Sequence, residues 1–372
     1  MKLTDVENGY NECDCIIDWD DIFFDLSNEK AVLVLGPEFF TQNGKPVKQL
    51  LYEELIQQDN NGILHFYPSN GIFLFQSELY KTKAQKRSSQ FYKSLDIDYS
   101  ILHKITELPF RVIINTNPDR KLERTYKEKN IECQFDYFSW RPNKRARDIV
   151  SPDSYYPLIY NLFGSVDDYE SIVLDYEDIF DHLKTLLNNT TVPDEVRSIL
   201  SETDTYIFIG FHLQKWDTQL LFRYLNMKEH CFDDSKKNYT TRSNEMDNNS
   251  ESFFRQQFNI KYYGAPVEFL EKLHENYFKA IGANGNIPEG NEEVKRIMEE
   301  LLANDQIERA LAFLTAQIND NNELKEILIM VKAKYANYIY VKSRNLDTKE
   351  NLEIMRSRIR HSVLEFTALV TS

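Results

Sequence analysis

The chain has 372 residues, a formal net charge of -15 and 42% hydrophobic residues, enough length for two or three domains and enough apolar material for a sizeable core. Only 11 Gly and 11 Pro stand beside 24 Phe and 22 Tyr, which excludes collagen-like and low-complexity structure. The acidic balance repels phosphate backbones and argues against direct nucleic-acid binding; the densest basic run, Arg141, Lys144, Arg145 and Arg147, reads as a solvated loop.

Cysteines at 13, 15, 133 and 231 form no CxxC pair, so no metal site is expected and Cys13 and Cys15 read as ordinary reduced thiols. The N-terminus lacks an apolar signal core, and no run of about eighteen apolar residues occurs. A cytoplasmic protein with no membrane span is the expectation.

Taken in chain order, Ala31–Leu35 is a short apolar run of β-type residues that ends at Gly36-Pro37-Glu38, as for a strand buried on both faces of a parallel sheet. Residues 49–58 carry helical spacing; residues 72–92 remain open between helix and irregular structure. A second buried strand, Arg111–Asn115, runs into Thr116-Asn117-Pro118-Asp119 and a helix through Tyr126. A third, Leu158–Tyr160, leads to Asn161-Leu162-Phe163-Gly164-Ser165. Residues 171–174 read as a further short strand and 178–187 as a helix. A fourth strand, Thr205–Ile209, leads to Gly210-Phe211-His212-Leu213 and a helix over 217–226. A strand over 258–263 precedes a helix that Pro266 introduces. Residues 233–251 have almost no apolar members and read as a mobile surface insertion.

Strands alternating with helices, each strand closing in a polar loop, predict an α/β fold with a doubly wound, Rossmann-like parallel sheet. Ligands of such sheets bind beyond the carboxyl ends of the strands, where all four loops lie. Residues 282–290 have linker composition, which divides the chain into 1–281, the linker, and 291–372. Beyond it the apolar period becomes 3.6: Val294, Ile297, Met298, Leu301 and Leu302 form one stripe, and Ile307, Ala310, Leu311 and Leu314 the next. With a long helix over 321–344 and a capping box of Asp347 and Glu350, this part predicts an all-α bundle.

Each loop taken alone has a plain structural explanation: a tight turn at Gly36, an Asx turn at Asn117-Pro118-Asp119, a turn at Gly164-Ser165, a structural histidine at His212. Their joint order resembles the prokaryotic sirtuin-like domains of antiviral defence systems. Val32-Leu-Val-Leu-Gly36-Pro37-Glu38 resembles the phosphate loop of that family. Thr116-Asn117-Pro118-Asp119 followed by Leu122-Glu123 resembles its Thr-Asn-x-Asp motif, and Leu162-Phe163-Gly164-Ser165 its leucine-histidine-glycine-serine motif. Ile209-Gly210 with Trp216 beyond it resembles a further strand end. The resemblance spans about residues 28–280 and implies NAD as ligand or substrate, with cleavage of its nicotinamide–ribose bond. It implies Asn117 positioning ribose or water, Asp119 holding the carboxamide, and Gly36, Pro37, Thr116, Gly164, Ser165, Gly210 and Phe211 forming the pocket.

Two positions depart from the family pattern. Phe163 stands where the general-base histidine is usual, and phenylalanine accepts no proton; His212 is the substitute base the sequence offers. Glu38 stands where a glycine is usual, and a carboxylate there opposes a pyrophosphate unless it points away or is neutralised. A catalytically degenerate nucleotide sensor or scaffold is therefore the rival of an NAD glycohydrolase. True deacylation is the weakest reading, because the zinc-ribbon cysteines of sirtuins proper are missing. The C-terminal bundle resembles the small effector-associated domains of bacterial conflict systems. That resemblance implies recruitment by a sensor or signalling protein with a matching domain, or self-assembly.

Overall fold

The computed structural model describes residues 17–42, 44–58, 62–68, 70–95, 100–141, 149–154, 156–188, 192–225, 236–241, 248–283, 291–303, 307–317, 322–343 and 348–371. Cys13, Cys15, Cys231, Lys144, Arg145, Arg147, Asp305 and Asp347 lie outside them. In chain order the elements are α1 (Trp19–Ser27), β1 (Ala31–Leu35), β2 (Thr41–Gln42), β3 (Lys45–Pro46), α2 (Val47–Gln58), β4 (Ile63–Tyr67), β5 (Ile72–Phe75), α3 (Glu78–Ser94) and α4 (Ser100–Ile105). Then come β6 (Val112–Asn115), α5 (Lys121–Glu128), β7 (Gln134–Tyr137), β8 (Leu158–Asn161), α6 (Tyr176–Leu187), α7 (Asp194–Glu202), β9 (Thr205–Ile209) and α8 (Trp216–Leu225). The rest are β10 (Lys237–Thr241), α9 (Asn248–Phe258), β11 (Ile260–Tyr263), α10 (Pro266–Ala283), α11 (Asn291–Ala303), α12 (Ile307–Gln317), α13 (Asn322–Ser343) and α14 (Lys349–Val370).

Seven strands form one sheet in the order β11-β10-β9-β1-β6-β8-β7, and every pairing in it is parallel. The apolar runs are buried on both faces because their alternate side chains enter two different cores. Leu33, Leu35, Ile113, Ile159 and Ile207 face one side, with α1, α2, α4, α5 and α10 over them. Val32, Val34, Ile114, Tyr160 and Phe208 face the other, under α6, α7, α8 and α9. Winding proceeds from β1 outward through β6 and then reverses to β9 on the opposite side of β1, so the switch point falls between β1 and β9. The expected doubly wound α/β sheet is what the chain forms.

Three stretches differ from the sequence reading. Residues 171–174 do not form a strand: residues 169–171 make a 3₁₀ turn, and the Leu174 carbonyl accepts from Phe73 N–H of β5 at 2.8 Å. Residues 72–75, which the sequence leaves open, pair antiparallel with β4 as a hairpin outside the main sheet. Part of the expected mobile insertion, residues 237–241, is β10, an interior strand between β9 and β11. Hydropathy misses it because four of its five residues, Lys237, Asn238, Thr240 and Thr241, are polar. Lys237 pairs with Asp21 and Asp25, and Asn238 Nδ2 donates to the Phe258 carbonyl at 2.6 Å. The remainder of that insertion, apart from α9 and Lys236, lies outside the described residues.

Beyond α10, four helices share a separate core of Val294, Met298, Leu302, Ile307, Leu311, Leu314, Val363 and Phe366. The last helix starts one residue later than a cap at Asp347 would place it, and its cap is Thr348, which accepts from Asn351 N–H at 3.2 Å. No described helix is long and apolar enough to cross a membrane.

Candidate functional site

Beyond the carboxyl ends of β1, β6, β8 and β9 lies a cleft, open at its mouth, whose non-atom space of about 590 Å³ includes the open solvent there. This is the edge at which doubly wound sheets take their ligands. One residue or more from each of the four loops reaches it: Pro37, then Thr116 with Asn117, then Phe163, then Phe211. Gly36 and Gly210 act by letting two loops touch at the switch point. Gly36 N–H donates to the Ile209 carbonyl at 2.7 Å, and a Cβ on Gly36 would lie 2.2 Å from the Gly210 oxygen. Gly210 has φ +77°, and a Cβ there would lie 2.3 Å from the Phe39 nitrogen. Only glycine fits that left-handed backbone at such close approach.

Asn117 is fixed by a run of buried polar groups at the ends of β6 and β8. Asn161 Nδ2 donates to the Asp119 carbonyl at 2.7 Å and its Oδ1 accepts from Asn115 Nδ2 at 3.2 Å. Asn115 Oδ1 accepts from Asn117 N–H at 3.0 Å, and Asn117 Nδ2 donates to Asp119 Oδ2 at 3.2 Å. Asp119 Oδ1 also accepts from Lys121 N–H at 2.8 Å, opening α5. Burial pushes the Asp119 carboxyl above the usual range, against those hydrogen bonds. Asp119 does not line the cleft; its carboxylate is occupied by Asn117 and Lys121. Asn117 does line it, and among the described residues its Oδ1 accepts no hydrogen bond. Thr116 Oγ1 donates to the Leu35 carbonyl at 2.9 Å, tying β6 to β1.

Gly164 and Ser165 shape the wall rather than line it. Gly164 has φ +89° against the Ser171 carbonyl, and buried Ser165 donates its N–H to Ser171 Oγ at 2.9 Å. Glu123, from the Leu122-Glu123 pair, is buried in ion pairs with Arg120 and Lys127, and Arg120 also grips Asp167. A second cluster supports the same wall. Lys81 of α3 meets Asp175 at 2.9 Å and Asp178 at 3.0 Å at the start of α6.

The two departures have defined surroundings. Glu38 is neutralised: its carboxylate meets His212 Nε2 at 2.6 Å and Lys215 Nζ at 3.1 Å. Burial pushes the Glu38 carboxyl up, but His212 and Lys215 together bring it below the usual range. His212 is thus engaged at the rim and does not line the cleft. Phe163 does line it, and its other face stacks on His182 with centroids 4.6 Å apart and planes 11° apart. His182 is wholly buried beside Phe138 and Trp140, with neither ring nitrogen in a proper hydrogen bond, and burial lowers its pKa to about 3. It is a neutral packing residue behind the wall.

Four lining residues carry no signal in the sequence: Lys48, Tyr92, Asp217 and Thr218. They come from α2, α3 and α8, whose approach to the strand ends no local motif announces.

Residues 111–263 match the family described as SIR2-like domain, and residues 295–370 match the family described as Effector-associated domain 11. No curated protein matches the chain. The chain therefore carries a SIR2-like domain followed by an effector-associated domain.

Proposed function

We propose that this chain is an effector of a bacterial defence system, whose SIR2-like domain binds NAD in the cleft and whose C-terminal bundle couples it to a partner. One observation carries the reading: Asn117, locked by Asn115, Asn161 and Asp119, lines the cleft at the strand ends with its Oδ1 unfilled. Such preorganisation is what binding and orientation of a ribose require. Gly36, Pro37, Thr116, Gly210 and Phe211 form the floor, and Gly164 and Ser165 hold the wall. Asp119 serves by holding Asn117.

In the hydrolytic form of the reading, water attacks the ribose carbon, the bond to nicotinamide breaks and ADP-ribose forms. Asn117 orients the ribose or the water. Asp217 is the acidic side chain of the lining, and it takes the proton that the water gives up. The partner is a sensor or signalling protein with a like helical domain. The exposed apolar pair Ile329 and Met330 on α13, 64% and 60% accessible, suits such docking.

A second reading, NAD binding without turnover, is favoured by Phe163, because among the described residues no imidazole lines the cleft. Calorimetry and product analysis on the full chain, with and without forced clustering, separate the two. Binding that Asn117→Ala weakens, together with release of nicotinamide, supports the hydrolase. Binding with intact NAD after prolonged incubation transfers the conclusion to the sensor. A wild-type chain that binds no NAD refutes both.

A further inference from the structure

Lys48 has no explanation in the stability of its own helix. It sits in the first turn of α2, where the helix dipole disfavours a cation. The cleft walls strip its ammonium of water, which lowers its pKa to about 8. Its one hydrogen bond among the described residues goes to the Gly71 carbonyl at 3.2 Å, in the turn between β4 and β5. No carboxylate lies within ion-pair distance of it among those residues. An ammonium carries three donors, so two remain unfilled in the cleft that Pro37, Thr116 and Asn117 line. The charged groups facing it are Asp217, which favours its charge, and Lys215, which opposes it and is already engaged by Glu38. Tyr92 is the other ionisable group of the lining.

We infer that the Lys48 ammonium is the cationic contact for the diphosphate of a dinucleotide in this cleft, a role that rests on the NAD reading above. Glu38 does not oppose it, since Lys215 offsets its charge and His212 holds its other oxygen. The anion fills the two free donors, and the Gly71 carbonyl keeps the third, so ligand binding leaves the hairpin turn attached. A desolvated ammonium gains more from an anion than a surface lysine does.

The test compares wild type with Lys48→Met by calorimetry, using NAD, nicotinamide riboside (the same base and ribose without the diphosphate) and inorganic pyrophosphate. Thermal melting checks the fold of each. The expected result is about a 10- to 100-fold loss of NAD and pyrophosphate affinity in Lys48→Met, with nicotinamide riboside unchanged. Wild-type NAD affinity is also expected to fall as pH rises through about 8, and the variant's to stay flat. Equal NAD binding by the two proteins overturns the role of Lys48 and leaves the NAD reading standing. Equal losses for NAD and nicotinamide riboside overturn it as well. A wild-type chain that binds none of the three probes overturns both. Should Lys48→Met fail to melt cooperatively, Lys48→Gln is measured in the same way, and the pH profile of wild type decides independently.

Discussion

The Lys81 cluster behind the cleft wall allows a quantitative test. Lys81→Met keeps most of the side-chain stem and removes the ammonium, leaving Asp178 and Asp175 with side chains only 4% and 15% exposed. Breaking a buried ion pair by deleting one partner costs about 3–5 kcal/mol, because the remaining charge is uncompensated. Burial, then Asp175, raises the Asp178 carboxyl to about 6 against the opposing pull of Lys81. Without Lys81 it rises further. A carboxyl with a folded pKa above its unfolded value favours the folded state fully at pH below the unfolded value. That contribution is lost as pH climbs through the folded value. The deficit of Lys81→Met should therefore be largest near pH 8 and shrink toward pH 5, by about 1.4 kcal/mol for every tenfold gain in proton affinity that the carboxyl makes when Lys81 is removed. Urea unfolding of both proteins at the two pH values measures it. A deficit equal at both, or a variant stabilised at pH 8, would show that the carboxylates are not held as described.

Three further outcomes are expected. Phe163→His places an imidazole on the cleft wall and should raise NAD turnover by about 10²- to 10⁴-fold; a rate equal to wild type would mean that a base is not the missing element. Gly210→Ala should lower the urea midpoint and abolish NAD binding, since its Cβ has no room beside Phe39 and its φ is left-handed; unchanged binding would separate the switch point from the ligand. Ile329→Glu with Met330→Glu should leave the melting temperature near wild type while reducing any concentration-dependent self-assembly of the full chain, measured by light scattering; assembly equal to wild type would place docking elsewhere on the bundle.

The sheet is legible in the sequence where strands are apolar on both faces. Ala31–Leu35 and Thr205–Ile209 lie at its centre, and burial of every side chain leaves an unbroken apolar run. β7 escapes such a reading because it is a four-residue edge strand containing Gln134 and Asp136. Residues 171–174 look like a strand because Ile172, Val173 and Leu174 are buried, but they are buried as cleft wall and bracing, without a ladder. At the site, Asn117 and the glycines stand out because short motifs carry them. Lys48 and Asp217 do not, because a helix surface lysine or aspartate has no local signature and only the packing of α2 and α8 brings it to the strand ends. Asp119 and Ser165 stand out for their motif, and their hydrogen bonds show them supporting neighbours.

The position of β10 has a practical consequence. To an engineer reading hydropathy, residues 237–241 look dispensable. Excising them would leave β9 and β11 bare, separated by a gap of about 10 Å, twice the strand spacing. Two raw edges invite pairing with other molecules. The shortened protein would then precipitate or exchange strands with its neighbours instead of simply losing a loop.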